Sequence, residues 1–135
     1  MVRTIFAIAL LISPLMACTQ PLIMLDNHRS AIMANMRDYE LFYKDKEYVE
    51  YINNDTTIAY EFVGRRSVAV YLTIPTDAVD GFLERRVGKN WVQTSSSTYD
   101  YYSGVYEKPI QVKVYASIRY TTFEFRLWSS ANQRK

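Results

Sequence analysis

The residue best suited to covalent chemistry is Cys18, the only cysteine in the chain, because a cysteine thiolate is a good nucleophile. An apolar run, Ile5–Ile12, lies in front of it, and Arg3 supplies a positive charge ahead of that run. Ser13-Pro14 interrupts the run, and Leu15-Met16-Ala17 leads up to the cysteine. This order predicts a secretory signal peptide over residues 1–17.

The apolar run is too short for a transmembrane anchor, since about eight residues stand where a spanning helix needs roughly 20. The segment Leu15-Met16-Ala17-Cys18 resembles the lipobox of bacterial lipoproteins, although Met16 is larger than the small residue usual at its position. The resemblance covers residues 1–18 only. It implies cleavage after Ala17, acylation of the Cys18 sulfur and then of the new amino group. The alternative is an ordinary secreted protein with an unmodified cysteine.

Two or three acyl chains would anchor the protein permanently, because each buried methylene contributes about 0.8 kcal/mol. In lipoproteins an aspartate after the cysteine often marks inner-membrane retention, and Thr19 stands there instead. We therefore expect an outer-membrane lipoprotein facing the periplasm. The expected organisation is a signal peptide over 1–17, a lipidated tether over 18–27 and a single globular domain over 28–135.

The mature chain is nearly neutral in charge. Removing residues 1–17 takes away one arginine and leaves 15 Lys and Arg against 14 Asp and Glu. This balance, together with export, argues against nucleic acid as a partner. If Cys18 is lipidated, the domain has no disulfide and must be held together by packing, for which the 15% aromatic content provides the side chains.

Hydrophobic periodicity predicts an α+β fold with an antiparallel sheet of five to seven strands. One helix is expected near the N-terminus, over residues 28–43 with Asp26 or Asn27 as its N-cap. A second helix, between the two halves of the sheet, is expected to start at Thr76 and to end at Gly88. Strands are predicted over residues 47–52, 56–63, 67–74, 90–94, 99–107, 110–118 and 121–128. A β-sandwich with a single helix is the alternative.

The sequence predicts no catalytic constellation, metal site or cofactor, and we expect a protein that is not an enzyme. The common motifs HExxH, CxxC and GxSxG are missing. The one histidine, His28, is expected on the surface at the start of a helix. Glu61 and Glu124 could meet across a sheet as an acid and a base of the glycosidase kind, but solvated strand faces explain them better.

The stretch from Ser95 to Tyr106 has the composition of a binding loop, in which Tyr supplies rigid contact area and Ser and Gly supply adaptability. It predicts a partner-binding patch made of aromatic side chains: Trp91, Tyr99, Tyr101, Tyr102 and Tyr106. The alternative is a strand whose tyrosines lean on the sheet.

Two arginine pairs, Arg65-Arg66 and Arg85-Arg86, suit a solvated turn and a helix C-terminus respectively. They could instead contact lipid headgroups, which would require both pairs to face the anchor.

By analogy with small lipoproteins of this size, we expect a non-catalytic interaction or assembly component of an envelope complex of the secretion, pilus or conjugation type. The alternative is an exclusion or inhibitor lipoprotein that blocks an envelope receptor or a lysozyme. A small enzyme is the third hypothesis, and a cleft with converging acids would support it.

Overall fold

A computed structural model describes residues 23–86 and 90–127 of the chain. In chain order the elements are α1 Arg29–Asn35, β1 Glu40–Lys44, β2 Tyr48–Asn53, β3 Thr56–Val63, β4 Arg66–Pro75, a 3-10 turn Thr76–Ala78, α2 Val79–Arg86, β5 Trp91–Gln93, β6 Thr98–Tyr101, β7 Ile110–Ala116 and β8 Tyr120–Leu127. The strands form one antiparallel sheet in the order β1-β2-β3-β4-β8-β7-β6-β5.

The predicted antiparallel sheet is confirmed and, with its two short helices, is compatible with the predicted α+β class, but it has eight strands rather than five to seven. Two four-strand meanders meet where β4 pairs with β8, and α2 lies on the connection between them. The predicted strands agree best where one face is buried, because apolar and polar residues then alternate strictly. In β3 and β4 the residues between Ile58 and Ile74 show this alternation.

The predicted helix over residues 28–43 is wrong in its second half, since α1 ends at Asn35 and Glu40–Lys44 form β1. Tyr39 and Tyr43 match a helical period only by coincidence. All five residues of β1 are exposed, so the strand carries no alternating apolar pattern, and a bulge between Leu41 and Tyr43 disturbs its register further. This strand accounts for the eighth member of the sheet.

His28, rather than Asp26 or Asn27, is the N-cap of α1. Its side chain accepts a hydrogen bond from the Ser30 amide. Asp26 has φ 54°, so it serves as a turn residue before the helix.

The second predicted helix is confirmed as a 3-10 turn followed by α2, although its predicted cap is not. Pro75 holds the N-cap position and makes no side-chain capping bond. The Thr76 hydroxyl donates to the carbonyl oxygen of Ser117, at 2.7 Å. Val79, Phe82 and Leu83 pack against the core. Gly88, the predicted end of this helix, lies outside the described residues.

A single hydrophobic core lies between the two helices and one face of the sheet. Its fully buried members come from α1 and its flanks and from strands β2, β3, β4, β7 and β8: Leu25, Ile32, Met36, Val49, Ile58, Tyr60, Val70, Ile110, Val112, Phe123 and Phe125. In the part of the chain that is described, both helices cover this face. The opposite surface, which we call the open face, carries Glu61, Tyr71, Lys113, Glu124 and Arg126.

The strands give the domain two distinct ends. The end we call the tether end is formed by segment 23–29, the β1–β2 turn, the β3–β4 turn and the β6–β7 loop. The far end is formed by the α1–β1 connection, the β2–β3 turn, the 3-10 turn and the β7–β8 turn. Strand β4 runs from one end to the other, and its ten residues cover about 30 Å.

Candidate functional site

The predicted lipidation residue, Cys18, and the predicted cleavage residue, Ala17, lie outside the described residues. The described chain begins at Ile23, five positions after Cys18. Five residues span no more than roughly 17 Å even when fully extended. A lipid on Cys18 would therefore keep the start of the domain close to the bilayer.

Backbone hydrogen bonds attach the entering chain to the β3–β4 hairpin. The Asp26 amide donates to the carbonyl oxygen of Ser67 at 2.8 Å, and the Ser67 amide donates to that of Asn27 at 2.9 Å. The Arg29 amide donates to the carbonyl oxygen of Arg65, also at 2.8 Å. The turn that carries Arg65 therefore lies directly beside the segment that leads back to Cys18.

Three members of the predicted aromatic patch are packed against the core. The Trp91 ring contacts four neighbours, with centroids 5.8 Å from Tyr99, 5.3 Å from Tyr101, 6.2 Å from Phe123 and 5.8 Å from Phe125. Strand pairing explains this, because Tyr99 and Tyr101 are two residues apart and share the core face of β6. These three rings therefore pack on the core side of the sheet.

The other two members of the predicted patch lie in the β6–β7 loop. Tyr106 is half-buried, and its hydroxyl donates to the carbonyl oxygen of Leu25, at 2.8 Å, while accepting from the Leu25 amide, at 3.0 Å. Tyr102 is exposed over 51% of its surface. Of the five aromatic residues, Tyr102 is the one that offers a large free surface to a partner.

The open face holds a network of hydrogen-bonded polar side chains centred on Arg126. Its Nη2 donates to Glu61 Oε1 at 3.1 Å and to the Tyr71 hydroxyl at 2.8 Å, and its Nε donates to Glu124 Oε2. The Tyr71 hydroxyl donates to Glu61 Oε1 at 2.7 Å, and that of Tyr115 donates to Glu124 Oε1 at 3.0 Å. Five side chains from four strands are thereby joined across the sheet.

The electrostatics of this network follow from partial burial and from the two carboxylates. Burial raises the pKa of Tyr71, and the hydrogen bond to Glu61 raises it further. For Arg126, burial alone would lower the pKa, but the hydrogen bond to Glu124 and the nearby acidic groups outweigh burial, so the pKa is raised. Arg126 therefore stays charged and holds Glu61 and Glu124 together.

Glu61 and Glu124 do meet across the sheet, but with a guanidinium between them. Arg126 fills the space in which a scissile bond would have to lie between an acid and a base. Each carboxylate also accepts a tyrosine hydroxyl. We interpret the network as a rigid polar surface on the open face.

The two arginine pairs have different surroundings. In the first pair, Arg66 Nη1 donates to the carbonyl oxygen of Asp26 at 2.7 Å and lies 3.8 Å from its carboxylate. In the second pair, where the side chain of Arg85 alone is described, its guanidinium lies over Gly81, 3.3 Å from the point that a side-chain Cβ would occupy there. The first pair therefore lies at the tether end, whereas Arg85 folds back onto its own helix.

A basic groove of about 1010 Å³ lies at the tether end between the β1–β2 and β3–β4 turns. Its cationic lining residues are Arg29, Lys44, Lys46 and Arg65. Arg29 has a structural part in this groove, because its guanidinium donates to the carbonyl oxygens of Asp45, at 2.6 Å, and Lys46, at 3.1 Å. It also lies 5.2 Å from the centroid of the Phe62 ring.

An exposed apolar cluster that sequence reasoning missed lies on the β7–β8 hairpin at the far end. Its members are Tyr115, Ile118 and Tyr120, exposed over 53%, 97% and 47% of their surfaces; we call them the tip patch. The strand predicted over residues 110–118 would place Ile118 on the same face of the sheet as Ile110 and Val112. Because β7 ends at Ala116, Ile118 lies in the turn instead.

No His, Cys, Asp and Glu group within residues 23–86 and 90–127 is arranged to hold a metal ion. His28 Nδ1 lies 2.8 Å from the Ser30 hydroxyl, as part of the α1 cap. Among the helices described, none has the length and apolar character needed to cross a bilayer.

Comparisons with known proteins give no family assignment. No family model, curated protein sequence or solved structure matches the chain. Inferences about function therefore depend on the residues and geometry of this chain alone.

Proposed function

We propose that the protein is a lipid-anchored, non-catalytic interaction component of a cell-envelope complex, held in the outer membrane through Cys18 and facing the periplasm. The observation that carries the proposal is the position of the tip patch. It is the exposed apolar cluster at the end of the sheet opposite to the point where the tether enters.

The geometry suits a protein that is tethered at one end and binds a partner at the other. Ile118 occupies the turn of a two-stranded hairpin, and Pro75 at the end of β4 pairs with the neighbouring Tyr120. The length of β4 sets the tip patch about 30 Å from the tether end. With the tether end at the bilayer, the patch is presented to proteins in the surrounding space.

Chemical character also favours a protein partner at the tip. Single exposed apolar residues are ordinary on protein surfaces, but a contiguous group often marks an interaction site. Three large side chains within six positions of one hairpin form such a group. Tyr115 links the patch to the network on the open face through its hydrogen bond to Glu124, so the binding surface can extend along the sheet.

The proposal is tested by affinity purification of the lipidated protein from its native envelope after chemical cross-linking. Ile118→Asp should abolish recovery of the partner and leave the melting temperature unchanged, because the side chain is 97% exposed. Val92→Asp is the matched control, since Val92 is 51% exposed but lies in the edge strand β5 and is not a member of the tip patch. Equal recovery of the same partner with both variants would contradict a binding site at the tip.

A further inference from the structure

We propose that the tether end docks directly on the anionic phospholipid headgroups of the bilayer in which the protein is anchored. The closeness of the tether end to the membrane rests on the proposed lipidation of Cys18, whereas the charge of that end is a property of the described domain. Docking would fix the orientation of the domain relative to the membrane.

The tether end displays a group of cations that have few acidic partners. Lys44, Lys46 and Arg65 line one groove, and their side chains form no ion pair in the described part of the chain. Arg66, the first residue of β4, has 62% of its side chain exposed, and its guanidinium lies 3.8 Å from the Asp26 carboxylate. These four side chains can reach a planar anionic surface together, because they come from adjoining turns.

Acidic side chains also lie at the tether end, and Asp45, Glu47 and Glu61 line the groove beside its four cations. Asp45 Oδ1 accepts from the amides of Glu47, at 2.7 Å, and Tyr48, at 2.8 Å, and its Oδ2 accepts from the Tyr43 hydroxyl. Glu61, which lines the groove from the open face, is paired with Arg126. Four cations therefore face three acids in the lining, and the groove keeps a small excess of positive charge.

The far end has the opposite charge balance. Counted with the terminal residues of the adjoining strands, the far end carries four acidic residues, Asp38, Glu40, Asp55 and Asp77, against two basic residues, Arg37 and Arg119. Counted in the same way, the tether end carries six basic residues, Arg29, Lys44, Lys46, Arg65, Arg66 and Lys108, against four acidic residues, Asp26, Asp45, Glu47 and Glu107. An anionic surface attracts the tether end and repels the far end. The charge distribution of the domain thus favours one orientation on the membrane, and it is the orientation that the tether permits.

Exposed apolar side chains accompany the cations at the tether end. Val63, Tyr102 and Val105 are exposed over 69%, 51% and 77% of their surfaces. Tyrosine is enriched at membrane interfaces, where its ring meets the acyl boundary and its hydroxyl stays hydrated. Basic residues beside such side chains are suited to the headgroup region of a bilayer.

The length of the tether makes contact possible. Attraction between lysine or arginine and an anionic membrane falls off within a Debye length, about 8 Å at physiological salt. The five residues from Cys18 to Ile23 reach at most roughly 17 Å. A lipid on Cys18 would therefore keep the domain close enough to the membrane for the cations of the tether end to reach its surface.

The test uses the chain from position 18 onward with Cys18→Ser, which keeps every described residue of the core and cannot be acylated on sulfur. Its binding to vesicles of phosphatidylglycerol mixed with phosphatidylcholine is measured by co-sedimentation. We expect binding that needs phosphatidylglycerol and weakens as salt is added. Equal binding to pure phosphatidylcholine, or none to either vesicle, would overturn the proposal.

Matched double variants locate the contact. Lys46→Ala with Arg65→Ala should weaken binding roughly 25-fold, from about fivefold for each cation removed. Arg37→Ala with Arg119→Ala removes the same charge from exposed positions at the far end and should change binding less than twofold. An equal loss of vesicle binding in the two double variants would show that the membrane attracts the net charge of the protein and not the tether end, and it would overturn the proposal. Because sulfur acylation takes no part in this assay, its outcome is separate from that of the proposed anchor.

Discussion

Tyr106 and Leu25 are 81 positions apart in the sequence, yet the Tyr106 hydroxyl bonds to both backbone polar groups of Leu25. The amide of Leu25 donates to this hydroxyl at 3.0 Å, and its carbonyl oxygen accepts from it at 2.8 Å. Leu25 is itself buried in the core. The β6–β7 loop thereby fixes the residue at which the tether joins the domain.

Tyr106→Phe should lower the free energy of unfolding by about 1–3 kcal/mol, since it leaves the Leu25 amide without its hydroxyl partner in a partly buried position. Urea unfolding checks this expectation. Tyr102→Phe in the same loop is the control and should change stability by less than about 0.5 kcal/mol, because Tyr102 is exposed. Equal stability of the two variants would show that the Tyr106 hydroxyl does not hold the chain entry.

Truncating adjacent tyrosines should have contrasting effects. Tyr101→Ala removes a ring that packs on Trp91 and should cost about 2–3 kcal/mol, somewhat less than truncation of a fully buried aromatic residue. Tyr102→Ala should cost less than about 0.5 kcal/mol. Thermal unfolding measures both. A small effect of Tyr101→Ala would mean that the aromatic cluster is not part of the core and would restore it as a binding surface.

Removing the central charge of the open-face network should destabilise the domain. Arg126→Met leaves Glu61 and Glu124 facing each other without a cation, and we expect a loss of about 2 kcal/mol because water screens part of the repulsion. Lys113→Met is the control, since Lys113 lies opposite Glu124 in the sheet but forms no ion pair among the described residues. If both variants unfold at the same urea concentration as the parent, the network contributes nothing to stability.

Stability should fall at alkaline pH because of buried tyrosines. Burial raises the pKa of Tyr60 and of Tyr71 above the ordinary value of 10.0. Below pH 10 both hydroxyls are protonated in the folded and unfolded chains and add no pH dependence. Above pH 10 the unfolded chain loses these protons first, so the free energy of unfolding decreases as pH rises. Urea unfolding between pH 8 and about 11 measures the decrease, which Tyr71→Phe should make shallower. If the free energy of unfolding of Tyr71→Phe falls with pH as steeply as that of the parent, Tyr71 makes no contribution to the loss of stability.

The parts of the fold that could be predicted from the sequence are those with one buried face. Strands β3, β4, β7 and β8 alternate strictly, and their bounds differ from the expectations by only one or two residues. Gly64, at φ 64°, occupies the turn between the strands predicted over 56–63 and 67–74. Strand β1 could not be identified in this way, because a fully exposed edge strand carries no hydrophobic period.

The surfaces were harder to predict than the elements. Glu61, Tyr71 and Arg126 come together only through the register of β3, β4 and β8, which a single sequence does not specify. Whether Ile118 lies in the core or on the surface depends on where β7 ends. The apolar character of Ile118 alone favoured the core. For Tyr99 and Tyr101, however, the spacing of two residues was a usable sign that both rings share one face of a strand.

The measurement that tests the central claim most directly is the intact mass of the mature protein purified from its native membrane. We expect a chain that begins at Cys18 and carries a diacylglyceryl group on sulfur and an acyl group on the amino terminus. A chain that retains residues 1–17, or one with a free thiol at position 18, would contradict the lipid anchor and the orientation inferred from it.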